Sequence, residues 1–460
     1  MVMSSLPEVA EESEHLIPQM GIVSVGTYLK EKIKDIDVKI IDCHLENIDE
    51  TNIDQIIHDF NPGIVGISVV TYLLYDAVSV ARAIKRIDEN IHINFGGPHI
   101  ALYPEETLNL RPVDSIVIGD GEIPFYHLVR SIINNENIQI RGLYLKGSNH
   151  TNYEPYIANL NDLPYPDRTL TAYKKYKSIF SGSISTSIIT SKGCTNKCTM
   201  CSMQGSKLRL REIPNIISEI KHIINLGITD IQIYDDTFNI SEKRVAEFCE
   251  EIIRNDLKFS WSFRGRVNNV NYELLRLCKK AGCKMILYGV ESGDDNVLKA
   301  IRKNTTVKEI RNAFYCSRKA NIETLAYFMV GIPGETLDNI GNSIKLAKEI
   351  KSDYLAVSIA TSWPGTVMYE EGLGQGLYES DYWKEFAVNP SPKFNPRFWT
   401  AIFTPVELIK LRNMFLIKYY FNLPYIINRL IKINSYDRFK KQFKAGFVLM
   451  CELFLGKKNA

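Results

Sequence analysis

"SISTSIITSKGCTNKCTMCS", Ser183–Ser202, decides how the chain is read. It opens as a β-rich run, Ser183–Ser191, and ends in three cysteines, Cys194, Cys198 and Cys201, spaced CxxxCxxC. Three thiols among Gly, Thr, Asn and Lys make neither a helix face nor a strand face. A closed structural zinc site wants four ligands. The nearest further candidates, His222 and Cys249, lie on helix-patterned segments at poor spacing. Iron–sulfur clusters are held by cysteine thiolates. Three thiolates on a four-iron cluster leave one iron open to a small chelating molecule.

Downstream of the cysteines, five more β-rich runs recur at a long repeat. They are Asp230–Asp236, Phe259–Val267, Lys284–Ser292, Glu323–Gly331 and Tyr354–Ser362. Helical patterns separate them, such as Ser241–Asp256, where Val245, Phe248, Cys249 and Ile252 share one face. Six strand–helix steps predict a curved, TIM-like parallel barrel, whose chemistry sits at the strand C-termini. The cysteines directly follow the first of these strands.

Upstream, apolar runs at Val38–Cys43, Ile64–Val70, Ile91–Gly97 and Ser115–Gly121 alternate with helical patterns. Nearly all-apolar strands predict a doubly wound parallel sheet. Glycines end two of the runs, in "GGPH" and "GDGE". At such strand ends glycine lets a ligand approach the backbone, or only shapes a turn. The expected division is 1–147, a linker at 148–182, a barrel at 183–385 and a helical region at 386–460.

The spacing and its place resemble the signature of the radical S-adenosylmethionine superfamily. That resemblance implies a [4Fe-4S] cluster on Cys194, Cys198 and Cys201, with S-adenosylmethionine on the open iron. One electron then yields methionine and a 5′-deoxyadenosyl radical. It also implies contacts to S-adenosylmethionine from Asp235 and Asp236 in "YDDTF", Arg266 in "RGRV", Glu291 and Ser292 in "GVESG", and Gly331 and Gly334 in "VGIPGET". Structural alternatives stand beside these: a helix cap for the aspartates and ion pairs for Glu291 and Arg266. The residue before the last cysteine is usually aromatic; here it is Met200, whose sulfur can pack on an adenine ring.

Residues 17–168 resemble the cobalamin-binding domain of one branch of that superfamily, through "IPQMGIVSVGTYLKE", "IVGISVVTY", "FGGPHIALYPEETL", "IVIGDGEIPF" and "LNDLPYPDR". The resemblance implies cobalamin beside Ser68, Gly96, Gly97, Pro98, His99, Gly119, Gly121 and Glu122. The first strand, Val2–Pro7, is short for the family. His44 in "DCHLEN" departs from the cobalt-ligating Asp-x-His-x-x-Gly pattern, and an ordinary solvated or hydrogen-bonded histidine is the default for His44 and His99. The expected fold is therefore α/β: a doubly wound Rossmann-like cobalamin-binding domain, a partial (β/α)6 radical barrel and a C-terminal helical tail. The branch includes the anaerobic magnesium-protoporphyrin ester cyclase and methyltransferases. Methylation of an unactivated carbon is expected, with cyclisation or oxidation, or a non-catalytic cobalamin and iron–sulfur sensor, as alternatives. A small-molecule or lipid-like substrate and an electron donor such as flavodoxin or ferredoxin are expected; Tyr288, Tyr327 and Trp363 stand at or near strand ends, where they face the substrate or pack as core aromatics.

Composition sets the outer bounds. The net charge of +2 gives no global pull toward nucleic acid, and no nucleic-acid module is present. The start, "MVMSSLPEVAEESEHL", lacks the apolar segment of a signal peptide. No apolar run approaches the ~18 residues of a spanning helix. Nine cysteines is an odd count, and six of them are scattered singly without the paired spacing of a disulfide framework, which fits a reducing cytoplasm. From Thr404 to Lys458, 11 Lys and Arg face 3 Asp and Glu among interleaved apolar residues. That stretch reads as helix, break at Pro424, helix. It fits a helical cap with a solvated basic face, a peripheral contact with an anionic membrane, or a face for an acidic substrate.

Overall fold

The alternating runs fold into two six-stranded sheets joined by a linker. The computed structural model describes residues 2–4, 18–148, 152–178 and 182–432. The first sheet comprises β1 (Val2–Ser4), β2 (Ile40–Asp42), β3 (Ile64–Ser68), β4 (His92–Gly96), β5 (Ser115–Val117) and β6 (Leu143–Leu145). Their order is β2-β1-β3-β4-β5-β6, so the three-residue β1 lies inside the sheet. β1 to β5 are parallel, and β6 runs antiparallel to β5. That antiparallel edge was not legible, because three residues carry no period; such edges are common on parallel sheets.

Strand alternation sends Val65 and Ile116 to one face, where helices Ile53–Phe60 and Leu74–Ile87 cover them. Val117 goes to the other, under Met20–Lys32 and Glu122–Asn134. Gly66 lets the ring of Phe125 approach to 3.0 Å of where a Cβ would stand.

In the second sheet, β7 (Ser185–Ile188) is followed by a short antiparallel ribbon, β8 (Ser191–Lys192) and β9 (Arg209–Leu210). The remaining strands are β10 (Asp230–Ile233), β11 (Ser260–Gly265), β12 (Cys283–Glu291), β13 (Glu323–Val330) and β14 (Tyr354–Ile359). The order is β7-β10-β11-β12-β13-β14, parallel throughout, with β7 and β14 at the two ends. This is the expected six-step partial barrel. Val245, Phe248, Cys249 and Ile252 are buried against it, as their spacing predicts. Each such fully buried side chain contributes about 1.5–3 kcal/mol.

After β14 the chain leaves the barrel. Tyr369, Tyr378, Tyr382, Trp383 and Phe386 join the core of the first sheet. Helix Pro405–Tyr420 then returns, and Phe415, Leu416 and Tyr419 enter the barrel core. Tyr419 and Tyr420 hydroxyls donate to the carbonyls of Ser352 and Leu355 at 2.6 Å each. Pro424 is the second residue of helix Leu423–Lys432, where proline's fixed φ suits a helix start. The rest of the basic tail lies outside the described residues.

Candidate active site

The cysteine segment is held by carboxylates from the neighbouring strand. β10 lies beside β7, so the residues after Ile233 meet the end of the first strand. Asp235 Oδ1 accepts from the Thr190 amide (2.6 Å), and Oδ2 accepts from the hydroxyls of Thr190 and Ser191 (2.5 and 2.8 Å). Burial raises its carboxyl, with the hydroxyl and amide donors opposing. Asp235 is therefore a buried strut whose two oxygens are taken by Thr190 and Ser191. Asp236 is exposed, and its Oδ2 accepts the Gly193 amide at 2.8 Å. Gly193 has φ +93°, and a Cβ there would stand 2.3 Å from the Lys207 carbonyl oxygen. Neither aspartate caps the next helix; Ser241 does.

The Cys194 amide donates to Ser206 Oγ, and its Sγ lies 3.7 Å from Thr237 Oγ1. Arg266 Nη1 stands 3.8 Å from Cys198 Sγ. The Cys201 amide donates to the Cys198 carbonyl at 3.2 Å, which closes a tight turn. A cavity of about 110 Å³ opens here, lined by Cys194, Asn196, Thr237, Arg266 and Asn268 among others. Burial pushes the Cys201 thiol up; Cys198, Cys194 and Asp236 add to this, against one hydrogen bond from Met203. Three unpaired cysteine thiols on one short segment are the donor type that holds an iron–sulfur cluster. Among the described residues no three His, Cys, Asp or Glu side chains converge on a single ion. A cluster, in contrast, holds its thiolates apart at separate corners.

The other strand ends divide. Besides facing Cys198, Arg266 donates to the carbonyls of Lys303 and Asn304. Glu291 has φ +66° at an irregularity in the pairing of β12 with β13. Its Oε1 pairs with Lys303 Nζ at 2.7 Å, and both side chains are buried. Such a backbone costs on the order of 1–3 kcal/mol and persists only where its surroundings hold it. Ser292 is 0% exposed, 3.3 Å from Ser343 Oγ on helix Leu337–Ile350, and its hydroxyl accepts from the Asp294 amide. Its hydroxyl is thus directed toward Ser343 and the Asp294 amide. Gly331 (φ +80°) lies under Leu408, while Gly334 (φ +78°) has open space where a Cβ would project. Met200 is half-buried and bridges Ile332 to Trp399.

Tyr288 does not face the barrel interior. It is fully buried, with its hydroxyl 3.1 Å from Ser317 Oγ on a covering helix. Tyr327 packs with Met285, Leu287 and Leu325, and Trp363 with Tyr72 and Trp383 of the first unit.

Two residues beside this mouth escaped the sequence reading, Lys303 and Glu335. Glu335 is fully buried; its Oε2 accepts the amides of Gly331 (2.8 Å) and Ile332 (3.3 Å). Its Oε1 has no partner among the described residues. Burial pushes the carboxyl from its ordinary 4.5 up to about 7, against those amides. The folded pKa lies above the unfolded one. This contribution to stability is thus full below pH 4.5 and lost as pH rises through about 7. Glu335→Gln should remove the dependence, worth on the order of 3 kcal/mol. The difference between the urea midpoints of the variant and the wild type should shift in the variant's favour as pH rises across this range, whatever other groups such as His99 add to both curves; parallel curves would refute the assignment.

At the first sheet, Ser68, Gly96, Gly97, Pro98, Gly119 and Gly121 make a partly exposed floor at the strand C-termini, where a Cβ on Gly97 would stand 2.8 Å from the Val69 backbone and one on Gly121 3.2 Å from Val25. A Cβ on Gly96 would meet nothing closer than 3.9 Å. A floor almost free of side chains fits a broad, flat cofactor such as cobalamin. Gly119 also has an internal reason: with φ +91°, a Cβ would overlap the Tyr156 carbonyl, which bridges to it. His99 and Glu122 do not line the floor. His99 is 0% exposed, both ring nitrogens lack partners among the described residues, and burial pushes its pKa down to about 3. It is thus neither solvated nor hydrogen-bonded through its ring. Glu122 Oε1 accepts from Ser24 Oγ at 2.7 Å, within the helix pair. His44 begins no strand end; it lies on the turn of helix Cys43–Glu46.

Two family models match: the radical SAM superfamily at residues 188–347 and the B12 binding domain at 9–129. An uncharacterized methyltransferase of Pyrococcus horikoshii is 30% identical over 428 residues, 91% of this chain and 91% of its own length. The chain belongs to the radical SAM superfamily. Membership makes it an enzyme whose cofactors are a [4Fe-4S] cluster and S-adenosylmethionine, with cobalamin on the B12-binding domain. Among further relatives of this radical SAM enzyme is the anaerobic magnesium-protoporphyrin IX monomethyl ester cyclase of Rubrivivax gelatinosus. It is 26% identical, over 78% of this chain and 66% of the cyclase. The fold is also that of the radical S-adenosylmethionine methyltransferase TsrM from Kitasatospora setae (TM-score 0.67, 16% identity, 81% of this chain and 77% of that one). The cobalamin-dependent enzyme OxsB aligns with TM-score 0.67 at 19% identity, over 99% of this chain and 71% of OxsB.

Proposed function

We propose that this radical SAM enzyme methylates an unactivated carbon of a small or lipid-like molecule. When bound, the cluster supplies the electron that splits S-adenosylmethionine to a 5′-deoxyadenosyl radical, and cobalamin supplies the methyl group. The observation that carries the reading is the cysteine segment at the mouth of the barrel, on the side that the linker joins to the partly exposed floor of the first sheet. In this reading residues 1–147 hold cobalamin over Ser68, Gly96, Gly97, Pro98, Gly119 and Gly121. Residues 183–385 hold the cluster on Cys194, Cys198 and Cys201.

Asp236, Arg266, Glu291, Gly331 and Gly334 surround S-adenosylmethionine. The Arg266 guanidinium places fixed positive charge beside the Cys198 sulfur and suits a carboxylate. Gly334 leaves room for a flat ring, and Met200 with Ile332 keeps water from that side. Tyr327 with Met285 and Leu287 offers an apolar wall to substrate.

The test is anaerobic purification with cobalamin supplied, then incubation with S-adenosylmethionine and dithionite. About one cobalt and about four irons per chain are expected, with 5′-deoxyadenosine formed. No 5′-deoxyadenosine from a loaded cluster refutes the radical reading. Bound cobalt near zero refutes methyl transfer alone. Flavodoxin or ferredoxin replaces dithionite in a reducing cytoplasm.

The exposed Val406, Ile409, Phe421, Leu423, Ile426 and Ile427, with Lys410 and Lys418, suit the surface of an anionic membrane. No helix among the described residues is long and apolar enough to cross one. Phosphatidylserine vesicles should carry the protein down in a spin; protein left in the supernatant refutes this contact.

A further inference from the structure

The ribbon β8–β9 has two residues in each strand, too few to hold itself in water. It carries Gly193 and Cys194 directly behind Lys192. Three carboxylates pin this region from outside. Asp235 and Asp236 come from the barrel itself. The third, Asp120, comes from the first unit, where it sits between the floor glycines Gly119 and Gly121. Its Oδ1 accepts from Lys192 Nζ at 2.7 Å, and its Oδ2 from Arg209 Nη1 at 2.5 Å and the Ala158 amide at 2.9 Å. One buried carboxylate thus grips both strands of the ribbon. Burial raises its carboxyl, and the two cations more than offset that, holding it below the ordinary range. Buried ion pairs gain little net stability, and their attested use is to fix register. The barrel aspartates set the ribbon against the barrel; among the described residues Asp120 is the carboxylate that sets it against the cobalamin floor, and Arg209 Nη1 also donates to the Ala158 carbonyl at 2.8 Å.

We propose that Asp120 is a positioning residue that fixes the distance between the cobalamin floor and the cysteine segment through Lys192 and Arg209. The proposal rests on reading that floor as the cobalamin site. Removing the clasp leaves the barrel anchors in place, so the cluster should load normally while its distance from cobalt loses definition.

The experiment uses the cobalamin- and iron-loaded enzyme and Asp120→Asn, with Lys192→Gln as a second variant should the first fold poorly. Iron and cobalt per chain should match the wild type. The magnetic interaction between cob(II)alamin and the reduced cluster, read by pulsed electron paramagnetic resonance, should broaden in both variants. Lys192→Arg, which keeps the cation, should restore the wild-type spectrum. Without cofactors, exchange of the Gly193 and Arg211 amides should rise about tenfold or more in Asp120→Asn. An unchanged interaction and unchanged exchange overturn the proposal. Loss of cobalt with an unchanged Gly193 exchange also overturns it, because Asp120 would then be a cofactor contact. A wild-type chain that takes up no cobalt refutes the cobalamin reading and leaves the exchange result to decide the clasp.

Discussion

Cys198→Ala is expected to abolish the iron–sulfur absorbance after anaerobic reconstitution and to reduce 5′-deoxyadenosine formation to background. Cys198 is the most enclosed of the three thiols, 7% exposed, and the Arg266 guanidinium faces its sulfur. Alanine leaves two thiolates and an arginine without its neighbour. Among the described residues the other barrel cysteines are buried in the core. Cys249, Cys278 and Cys283 are buried in the packing between barrel and helices, where burial and mutual proximity push the Cys249 and Cys283 thiols far up. They sit inside that packing, 0% and 1% exposed for Cys249 and Cys283, away from the mouth where the cysteine segment lies. The fold should survive, because the segment is pinned by its backbone. The Thr199 amide donates to the Ile301 carbonyl, and the Met368 amide donates to the Thr199 carbonyl. Unchanged far-ultraviolet circular dichroism with iron near zero is the expected pair of results. A full cluster spectrum from the alanine variant would show that Cys198 is not a ligand.

Strand identity was legible because β-rich runs recur at a long repeat, separated by amphipathic helices such as Glu242–Arg254. Side-chain direction at the strand ends was not. A residue just past a parallel strand points either into the mouth or onto the neighbouring strand, and only register decides. Asp236 and Asp235 are adjacent, yet one is exposed and the other is locked onto Thr190 and Ser191. Glu291 and Ser292 differ in the same way, because the irregular pairing at Gly289–Glu291 turns one toward Lys303 and the other toward Ser343. Asp120 read as the middle of a tight turn, since its partners lie 72 and 89 residues further on. Glu335 was within a quoted motif, but nothing in a sequence says that a carboxylate folds back on its own loop. The aromatic run Tyr369–Phe386 falls almost wholly within the 183–385 stretch expected as barrel, yet its rings pack in the core of the first sheet. Which unit takes them depends on where the last barrel strand delivers the chain.

Glu219→Ala is expected to lower the melting temperature by about 10 °C near neutral pH. Glu219 lies on helix Ile213–Asn225 and takes a guanidinium on each oxygen: Arg168 Nη2 on Oε1 and Arg211 Nη1 on Oε2, both at 2.6 Å. Arg168 and Glu219 side chains are 0% and 1% exposed. Removing the anion leaves two enclosed cations without a counter-charge, a loss of about 3–5 kcal/mol. The carbonyls of Pro166 and Ser187 still accept from Arg168 but cannot neutralise it. The pH dependence has a definite sign. Burial would raise the Glu219 carboxyl, yet the arginines hold it below its ordinary value. Its contribution is therefore present above the unfolded carboxylate pKa and lost as pH falls through the folded one. The gap between wild type and variant should narrow in acid, and a gap that is constant with pH, or a melting point within 2 °C at pH 7, would refute the network's role. Arg168 belongs to the linker, and its Nη2 donates to Ser187 on β7, the strand that leads into the ribbon and the cysteines. Iron loading should fall along with stability, which an effect confined to the outer helix would not produce.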